Sequence, residues 1–191
     1  AIFAHTIGWM VAFPSNARDA AGLLRAAIYA NDPVVFLEHR NLLDTAPART
    51  PYPGDDFIVP LGTAACVLEG TDATIVTWGD MVHQSLEAVR LVGRSVEVID
   101  LRTIRPWDRE RVLDSVRRTG RCLIVHEDTI TCGFGAEISA TITEEAFSFL
   151  DAPVLRLAPP DVPIPYNKGL MAAIVPTPER IARALERLLA F

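Results

Sequence analysis

The fold is decided by residues 74–101, which read TIVTWGDMVHQSLEAVRLVGRSVEVIDL. Residues 74–78 form a predicted strand, residues 81–91 a predicted helix, and residues 96–101 a second predicted strand. A strand, a helix and a further strand in this order indicate a right-handed βαβ unit in a parallel sheet.

The same alternation continues to the end of the chain. We predict helices over 108–118, 133–150 and 179–189, and strands over 122–126 and 153–157. Strands separated by helices of this kind favour a mostly parallel sheet covered by helices on both faces. The sequence therefore predicts an α/β fold, with a three-layer α/β/α domain over 63–191.

The N-terminal part shows a shorter version of this pattern. Strands are predicted over 9–13 and 34–38, with a helix over 18–30 between them. We interpret residues 1–45 as the later part of a second α/β domain and expect the earlier part of that domain to be missing from this chain. Residues 46–62 are rich in proline and lack periodicity, so we interpret them as an interdomain linker.

Composition excludes several classes of protein. Of the 191 residues, 50% are hydrophobic and 22% are charged, which is ordinary for a folded globular protein. The net charge is −6 and there is no basic run, so nucleic acid and anionic membranes are poor candidate partners. No apolar stretch reaches the roughly 18 residues of a membrane-spanning helix. Three cysteines without CxxC spacing favour a reducing compartment.

Two features after the predicted strand 122–126 could carry chemistry. His126 stands at the carboxyl end of that strand, where open α/β sheets place their sites, and imidazole acts as an acid or base near neutral pH. A polar strand end with a locally bonded histidine explains it equally well. The run Gly133-Phe134-Gly135 opens a predicted helix and could hold an anion, although tight packing is the commoner reason for such glycines.

The other histidines and the serines give weaker signals. His5 lies in a predicted turn, and His39 and His83 have the pattern of structural or solvated side chains without a partner that the sequence can name. No cluster has metal-ligand spacing, and no serine stands in a nucleophile elbow. From the residues alone, the chain is either a part of an enzyme completed elsewhere or an assembly module without catalysis.

A series of motifs along the whole chain resembles one known family. The motifs are, in order, FAHTIG (3–8), PSNARDAAGLL (14–24), DPVVFLE (32–38), GTDATIVTWG (70–79), VEVIDLRTI (96–104), GFGAEI (133–138), LDAPV (150–154) and DVPIPY (161–166). Together they resemble the beta subunit of the decarboxylating first component of 2-oxo acid dehydrogenase complexes. That group includes the pyruvate, branched-chain and acetoin enzymes and is transketolase-like.

The resemblance implies a fold, an activity and cofactors. Residues 1–45 would be the last part of a pyrimidine-binding domain, 46–62 a linker and 63–191 a transketolase C-terminal domain. The parent enzyme would decarboxylate a 2-oxo acid on thiamine diphosphate and reductively acylate a lipoyl group. The cofactor-activating glutamate, an active-site histidine and the site of the diphosphate and its magnesium would lie outside this chain, so we expect it to be inactive alone.

The resemblance also suggests roles for individual residues. Family members bind a potassium ion through backbone carbonyls that match Ala27, Ala30 and Asp32, although capping of these carbonyls by water is an equally good explanation. His5 and His126 would be supporting residues rather than catalysts. Phe191 and its carboxylate would contact a cationic partner at the end of the last helix.

Partners and alternatives follow from the same comparison. The expected partners are an alpha subunit or alpha-like half, a second beta subunit, and the lipoyl acyltransferase core, with apolar faces of the helices over 133–150 and 179–189 buried against another subunit. The expected location is the bacterial cytoplasm or an organelle matrix. The alternatives are another transketolase-like enzyme, such as a deoxyxylulose-phosphate synthase or a ferredoxin-linked oxidoreductase, and a non-catalytic assembly module.

Overall fold

Two β-sheets with helices around them make up the molecule, and the computed structural model describes residues 1–191. The strands are β1 (Met10–Ala12), β2 (Val34–Phe36), β3 (Ala65–Leu68), β4 (Ala73–Thr77), β5 (Val96–Asp100), β6 (Thr103–Arg105), β7 (Cys122–Val125) and β8 (Leu155–Leu157). The α-helices are α1 (Ile2–His5), α2 (Ala17–Tyr29), α3 (Met81–Val92), α4 (Arg109–Thr119), α5 (Gly135–Ala146), α6 (Lys168–Ile174) and α7 (Pro178–Leu189). Short 3-10 helices cover Arg40–Leu43, Ala46–Ala48 and Phe147–Phe149.

The larger sheet has five strands in the order β3-β5-β4-β7-β8. Its neighbours β5, β4, β7 and β8 run parallel, and β3 pairs antiparallel with β5 at one edge. Every residue of β4, β5 and β7 is buried, as expected for strands covered on both faces. The predicted mostly parallel sheet is therefore confirmed.

Alternate residues of the central strands point into two separate cores. Val76 and Ile124 belong to a core with α4 and α5, whereas Ile75 and Leu123 belong to a core with α3 and α7. This alternation follows from the two-residue period of a strand. The five-stranded sheet thus forms the middle of a three-layer α/β/α sandwich, as the sequence predicts.

The smaller sheet combines two strands from the N-terminal part of the chain with one strand that follows β5. Its order is β2-β1-β6, with β1 parallel to β2 and antiparallel to β6. Strand β6 comes directly after β5 of the larger sheet, because the chain turns sharply at Arg102, whose φ is 60°. The two sheets are consequently linked by only a few residues of backbone.

Residues 46–62 follow the surface of α2 closely. Val59 and Ala48 are buried. Arg25 on α2 donates hydrogen bonds to the carbonyls of Gly54 and Phe57 at 2.8 and 2.9 Å. The segment is therefore anchored to the rest of the chain at these points, even though its prolines leave it little regular structure.

The last helix corrects one expectation from the sequence. Helix α7 was expected to bury its apolar face against another subunit, but that face already packs on α3 and on the larger sheet within this chain. Its apolar residues Ile181, Leu185 and Leu188 are fully buried. None of the helices combines the length and apolar character needed to cross a bilayer.

Candidate functional site at the junction of the two sheets

A cavity of about 420 Å³ lies where the smaller sheet meets the carboxyl ends of β4 and β7. The smaller sheet contributes Val11, and the larger sheet contributes Trp78, directly after β4. Glu127, two residues beyond the end of β7, also lines it. Open parallel sheets place their sites at this edge, so the junction is the candidate site.

His126 lies directly after β7 and packs behind Trp78, which lines the cavity. It is completely buried, and its imidazole stacks on the Trp78 indole with ring centroids 5.4 Å apart and planes 5° from parallel. Neither ring nitrogen has a hydrogen-bond partner. Burial lowers the pKa of His126 to about 4, because the charged ring would lose its hydration. At neutral pH the side chain is therefore an uncharged, tightly packed ring.

Two glycines at the start of α5, Gly133 just before the helix and Gly135 as its first residue, allow this close packing. A Cβ atom at Gly135 would lie 2.5 Å from Nε2 of His126, and one at Gly133 would lie 2.7 Å from its Cε1. Such distances do not occur between non-bonded atoms, so only glycine lets the start of α5 close over the imidazole. Close helix packing, which the sequence offers as the commoner reason for these glycines, accounts for both positions.

A second group of side chains gathers at the same edge. The Nε2 atom of His39 donates to the Glu127 carboxylate, with N–O distances of 2.9 and 3.1 Å. Asp80 lies beside them, and the donor atoms of these three residues fall within 4.8 Å of one another. The hydrogen bond to Glu127 is the main cause that raises the pKa of His39, with the charge of Asp80 adding to it.

Sequence reasoning missed this group, since it took His39 as a structural or solvated side chain and found no ligand spacing. A signal was present nonetheless. Each of the three residues stands two or three positions beyond the end of a strand, β2, β4 or β7. The carboxyl ends of the parallel strands β4 and β7 meet at one edge of the larger sheet, so Asp80 and Glu127 were candidates for one site, whereas His39 follows a strand of the smaller sheet.

A buried clamp holds the two sheets together beneath the cavity. Arg102 donates from Nε and Nη2 to the two carboxylate oxygens of Asp19, both at 2.9 Å. The Ser15 hydroxyl donates to Asp100 at 2.5 Å, and the Arg102 N–H donates to the same carboxylate at 2.9 Å. Complete burial raises the pKa of Asp100 to about 6. The clamp joins the sequence motif around Asp19 to the motif around Arg102.

His83 reinforces the clamp from α3. Its Nε2 lies 2.8 Å from the carbonyl oxygen of Ser15 and donates to it, because a carbonyl can only accept. The sequence offered no partner for this side chain, since Ser15 is 68 positions away.

The remaining residues singled out from the sequence lie apart from the junction. His5 ends α1, is exposed, and lines a different cavity of about 690 Å³ that includes Cys132 and Glu137. His126 is not on the wall of that cavity, so the structure does not bring the two histidines together. Phe191 follows the end of α7 and is 63% exposed.

The residues matched to a potassium site lie at the end of α2. Ala27 is in its last turn and Ala30 is its C-cap, with the Ala30 N–H 3.3 Å from the Ala27 carbonyl. The last turn contains no basic side chain, and the backbone turns away in an extended conformation. Carbonyl oxygens at the negative end of a helix are hard ligands, so their chemistry fits a monovalent cation.

Comparison with known proteins identifies relatives of the whole chain. A family model described as the C-terminal domain of transketolase matches residues 62–181. The mitochondrial 2-oxoisovalerate dehydrogenase subunit beta of Dictyostelium discoideum is 46% identical over 167 residues, which cover 85% of this chain and 45% of that protein. The mitochondrial pyruvate dehydrogenase E1 component subunit beta-2 of Oryza sativa subsp. japonica is 43% identical over 189 residues, covering 97% of this chain and 50% of that protein.

A solved structure described as a split gene transketolase, inactive beta4 tetramer, has a TM-score of 0.79 and 23% identity. The match covers 99% of this chain and 60% of that one, and at this identity it shows the fold alone. The chain spans about half the length of the curated relatives it matches.

Proposed function

We infer the function from the premise that this chain belongs to the transketolase C-terminal domain family. We propose that it is part of the beta subunit of a 2-oxo acid dehydrogenase, which decarboxylates a 2-oxo acid and reductively acylates a lipoyl group. Identities of 46% and 43% to beta subunits of two such dehydrogenases support this proposal. The share of this chain is scaffold, subunit interface and docking to the enzyme core.

The observation that carries the scaffold role is the buried clamp between the two sheets. Asp19 on α2 and Asp100 at the end of β5 are both buried, and Arg102 bonds to each of them. Charged hydrogen bonds with fixed geometry define orientation more sharply than apolar contact does. The clamp thus fixes how the N-terminal sheet sits on the C-terminal domain, which an active site built between domains requires.

Thiamine diphosphate would supply the carbanion chemistry of the parent enzyme. The junction cavity does not fit its diphosphate, because the carboxylates of Glu127 and Asp128 line the wall and would repel a second anion. We therefore propose that the cofactor and its magnesium bind outside the residues of this chain. No step of the reaction is assigned to His5 or His126, which remain proposed supporting residues.

The proposed partners are an alpha subunit or alpha-like half, a second beta subunit in a heterotetramer, and the lipoyl acyltransferase core. Exposed aromatic side chains support contact with other chains, since Phe147 is 72% and Tyr166 100% exposed. We propose that Phe191 and its carboxylate contact cationic side chains of the core. The proposed location is the bacterial cytoplasm or an organelle matrix.

We also propose that the carbonyls of Ala27, Ala30 and Asp32 bind potassium. Support comes from the end of α2, where no basic side chain compensates the negative end of the helix dipole. The ion would stabilise the turn between α2 and β2 rather than take part in chemistry.

The function is tested by isolating the assembly that contains this chain from its own cells. We expect an alpha subunit or alpha-like segment and a lipoyl acyltransferase to copurify. Supplemented with a dihydrolipoyl dehydrogenase, the assembly should reduce NAD⁺ when given a 2-oxo acid, coenzyme A and thiamine diphosphate. Synthesis of deoxyxylulose phosphate, or reduction of a ferredoxin in place of a lipoyl group, would support the transketolase-like alternative instead. If the assembly showed none of these activities, the hypothesis of a non-catalytic assembly module would be favoured.

A further inference from the structure

We propose that His39, Asp80 and Glu127 bind a divalent transition metal ion, with Zn²⁺ as the best fit. One imidazole nitrogen and two carboxylates converge here, with their donor atoms within 4.8 Å of one another. The proposal rests on this convergence and does not depend on the proposed enzyme activity.

Rigid elements hold the three ligands. His39 follows β2, Asp80 begins helix α3, and Glu127 follows β7. The His39 ring also packs on Phe13, with ring centroids 6.3 Å apart. Sites on the ends of strands and helices keep their geometry better than sites on free loops.

The donor set selects the type of ion. Imidazole favours zinc and other late transition metals over magnesium or calcium, and carboxylates complete the charge balance for a dication. At metal–ligand distances of about 2.0–2.2 Å, two ligand atoms in tetrahedral geometry lie about 3.4 Å apart. The His39–Glu127 separation of 2.9 Å would open slightly. The widest donor separation would close by no more than about 1.4 Å, which side-chain rotation allows.

Access to the site comes from the junction cavity. Both His39 and Glu127 line that cavity of about 420 Å³, so an ion could enter from solvent. Three protein ligands leave one tetrahedral position open, and a water molecule on the cavity side would fill it.

Metal binding would strengthen an existing link between the two sheets. His39 and Glu127 are 88 positions apart in the chain and already share a hydrogen bond. An ion would replace this single bond with three coordinate bonds, and would tie the segment after β2 to both β4 and β7.

The test uses the native assembly, first stripped with a chelator and then titrated with Zn²⁺ alone against a chromophoric competitor. Co²⁺ substitution gives a visible absorption spectrum that reports histidine and carboxylate ligation. Variants are Glu127→Gln and Asp80→Asn, and His5→Ala serves as a matched control because His5 is an exposed histidine without neighbouring carboxylates in this group. Asp80→Asn is a mild change, since that carboxylate is bonded by Gln84 on the same helix.

We expect the unchanged protein to bind one more equivalent of Zn²⁺ tightly per chain than either ligand variant does. In the variants, the affinity of this site for Zn²⁺ should be at least tenfold lower. The His5→Ala protein should bind as the unchanged protein does. The proposal would be overturned if the Asp80→Asn and Glu127→Gln proteins bound Zn²⁺ as tightly as the unchanged protein, or if the unchanged protein bound none. Circular dichroism of each variant verifies that a loss of binding is not a loss of fold.

Discussion

Replacing Arg102 with methionine should destabilise the protein more than any ordinary surface substitution. The change removes both charged hydrogen bonds to Asp19, each 2.9 Å long, and leaves a carboxylate whose side chain is only 5% exposed. Removing one partner of a buried ion pair costs about 3–5 kcal/mol, because the other charge stays buried without compensation.

The structure places the expected cost at the lower end of that range. Asn16 also donates to the Asp19 carboxylate at 2.9 Å and would continue to do so in the variant. Arg102 itself is 21% exposed, so water can reach part of the vacated space. We therefore expect a loss of about 3 kcal/mol, which lowers the melting temperature by roughly 6–12 °C for a protein of this size.

The assay is urea unfolding followed by circular dichroism, with Arg117→Met as the control. Arg117 pairs with Asp114 at 3.1 Å on an exposed helix face, so its loss should cost less than about 0.5 kcal/mol. The double variant Asp19→Asn/Arg102→Met should lose less than the sum of the two single variants, since both act on one interaction. If Arg102→Met unfolds within about 1 kcal/mol of the control variant, the clamp does not hold the sheets together and the reasoning fails.

Four further predictions concern the junction and the end of α2. Gly135→Ala should lower the free energy of unfolding by about 1–3 kcal/mol, because its new methyl group meets the His126 ring; a urea midpoint equal to that of the unchanged protein would contradict the packing described. Because the pKa of His126 is lowered to about 4, its neutral form contributes stability above pH 6.5 that is lost as the pH falls towards 4. In urea titrations between pH 7 and 4.5, the His126→Leu variant should therefore show a smaller loss of stability than the unchanged protein. The raised pKa of His39 has the opposite effect. It contributes stability below pH 6.5 that is lost as the pH rises through the pKa of the folded state, so Glu127→Gln should destabilise the protein less at pH 8.5 than at pH 6. Potassium chloride should raise the melting temperature above that in sodium chloride of equal ionic strength, and identical melting curves would remove the proposed site at Ala27, Ala30 and Asp32.

Much of the larger sheet could be predicted because its signals are local. Strands β4 and β7 are mainly apolar, β5 carries Val96, Val98 and Ile99, and helices with regular spacing separate β4 from β5, β6 from β7 and β7 from β8. Helix caps act locally as well: Asp108 accepts from the Arg111 N–H at the start of α4, and Thr177 accepts from the Arg180 N–H at the start of α7.

The elements that were missed depend on distant partners. Strand β6 has three residues and pairs with β1, more than 90 positions earlier in the chain. Strand β3 is a half-exposed edge strand whose partner β5 comes later, and α6 has no buried residue to give it a periodic face. Helix α1 lies where a turn before the first strand was expected. Local propensity is weak in such short segments, and tertiary contacts decide their structure.

In the candidate site, too, local features could be predicted from the sequence and contacts between distant residues could not. His126 could be placed at the end of its strand from the sequence, but its stacking on Trp78 and its lack of hydrogen bonds could not, because they depend on how β4 and α5 pack. The group of His39, Asp80 and Glu127 combines positions separated by up to 88 residues. Only the crossing of the two sheets brings those side chains together.

The most direct test of the proposed function is the release of labelled carbon dioxide from carboxyl-labelled 2-oxo acids by the native assembly that contains this chain. Pyruvate and 2-oxoisovalerate, which the names of its relatives suggest, would be assayed with and without thiamine diphosphate. The account predicts release from at least one of them that depends on the cofactor and falls when Arg102 is replaced with methionine. Absence of release from every 2-oxo acid, in an assembly shown to be folded and loaded with cofactor, would contradict the account.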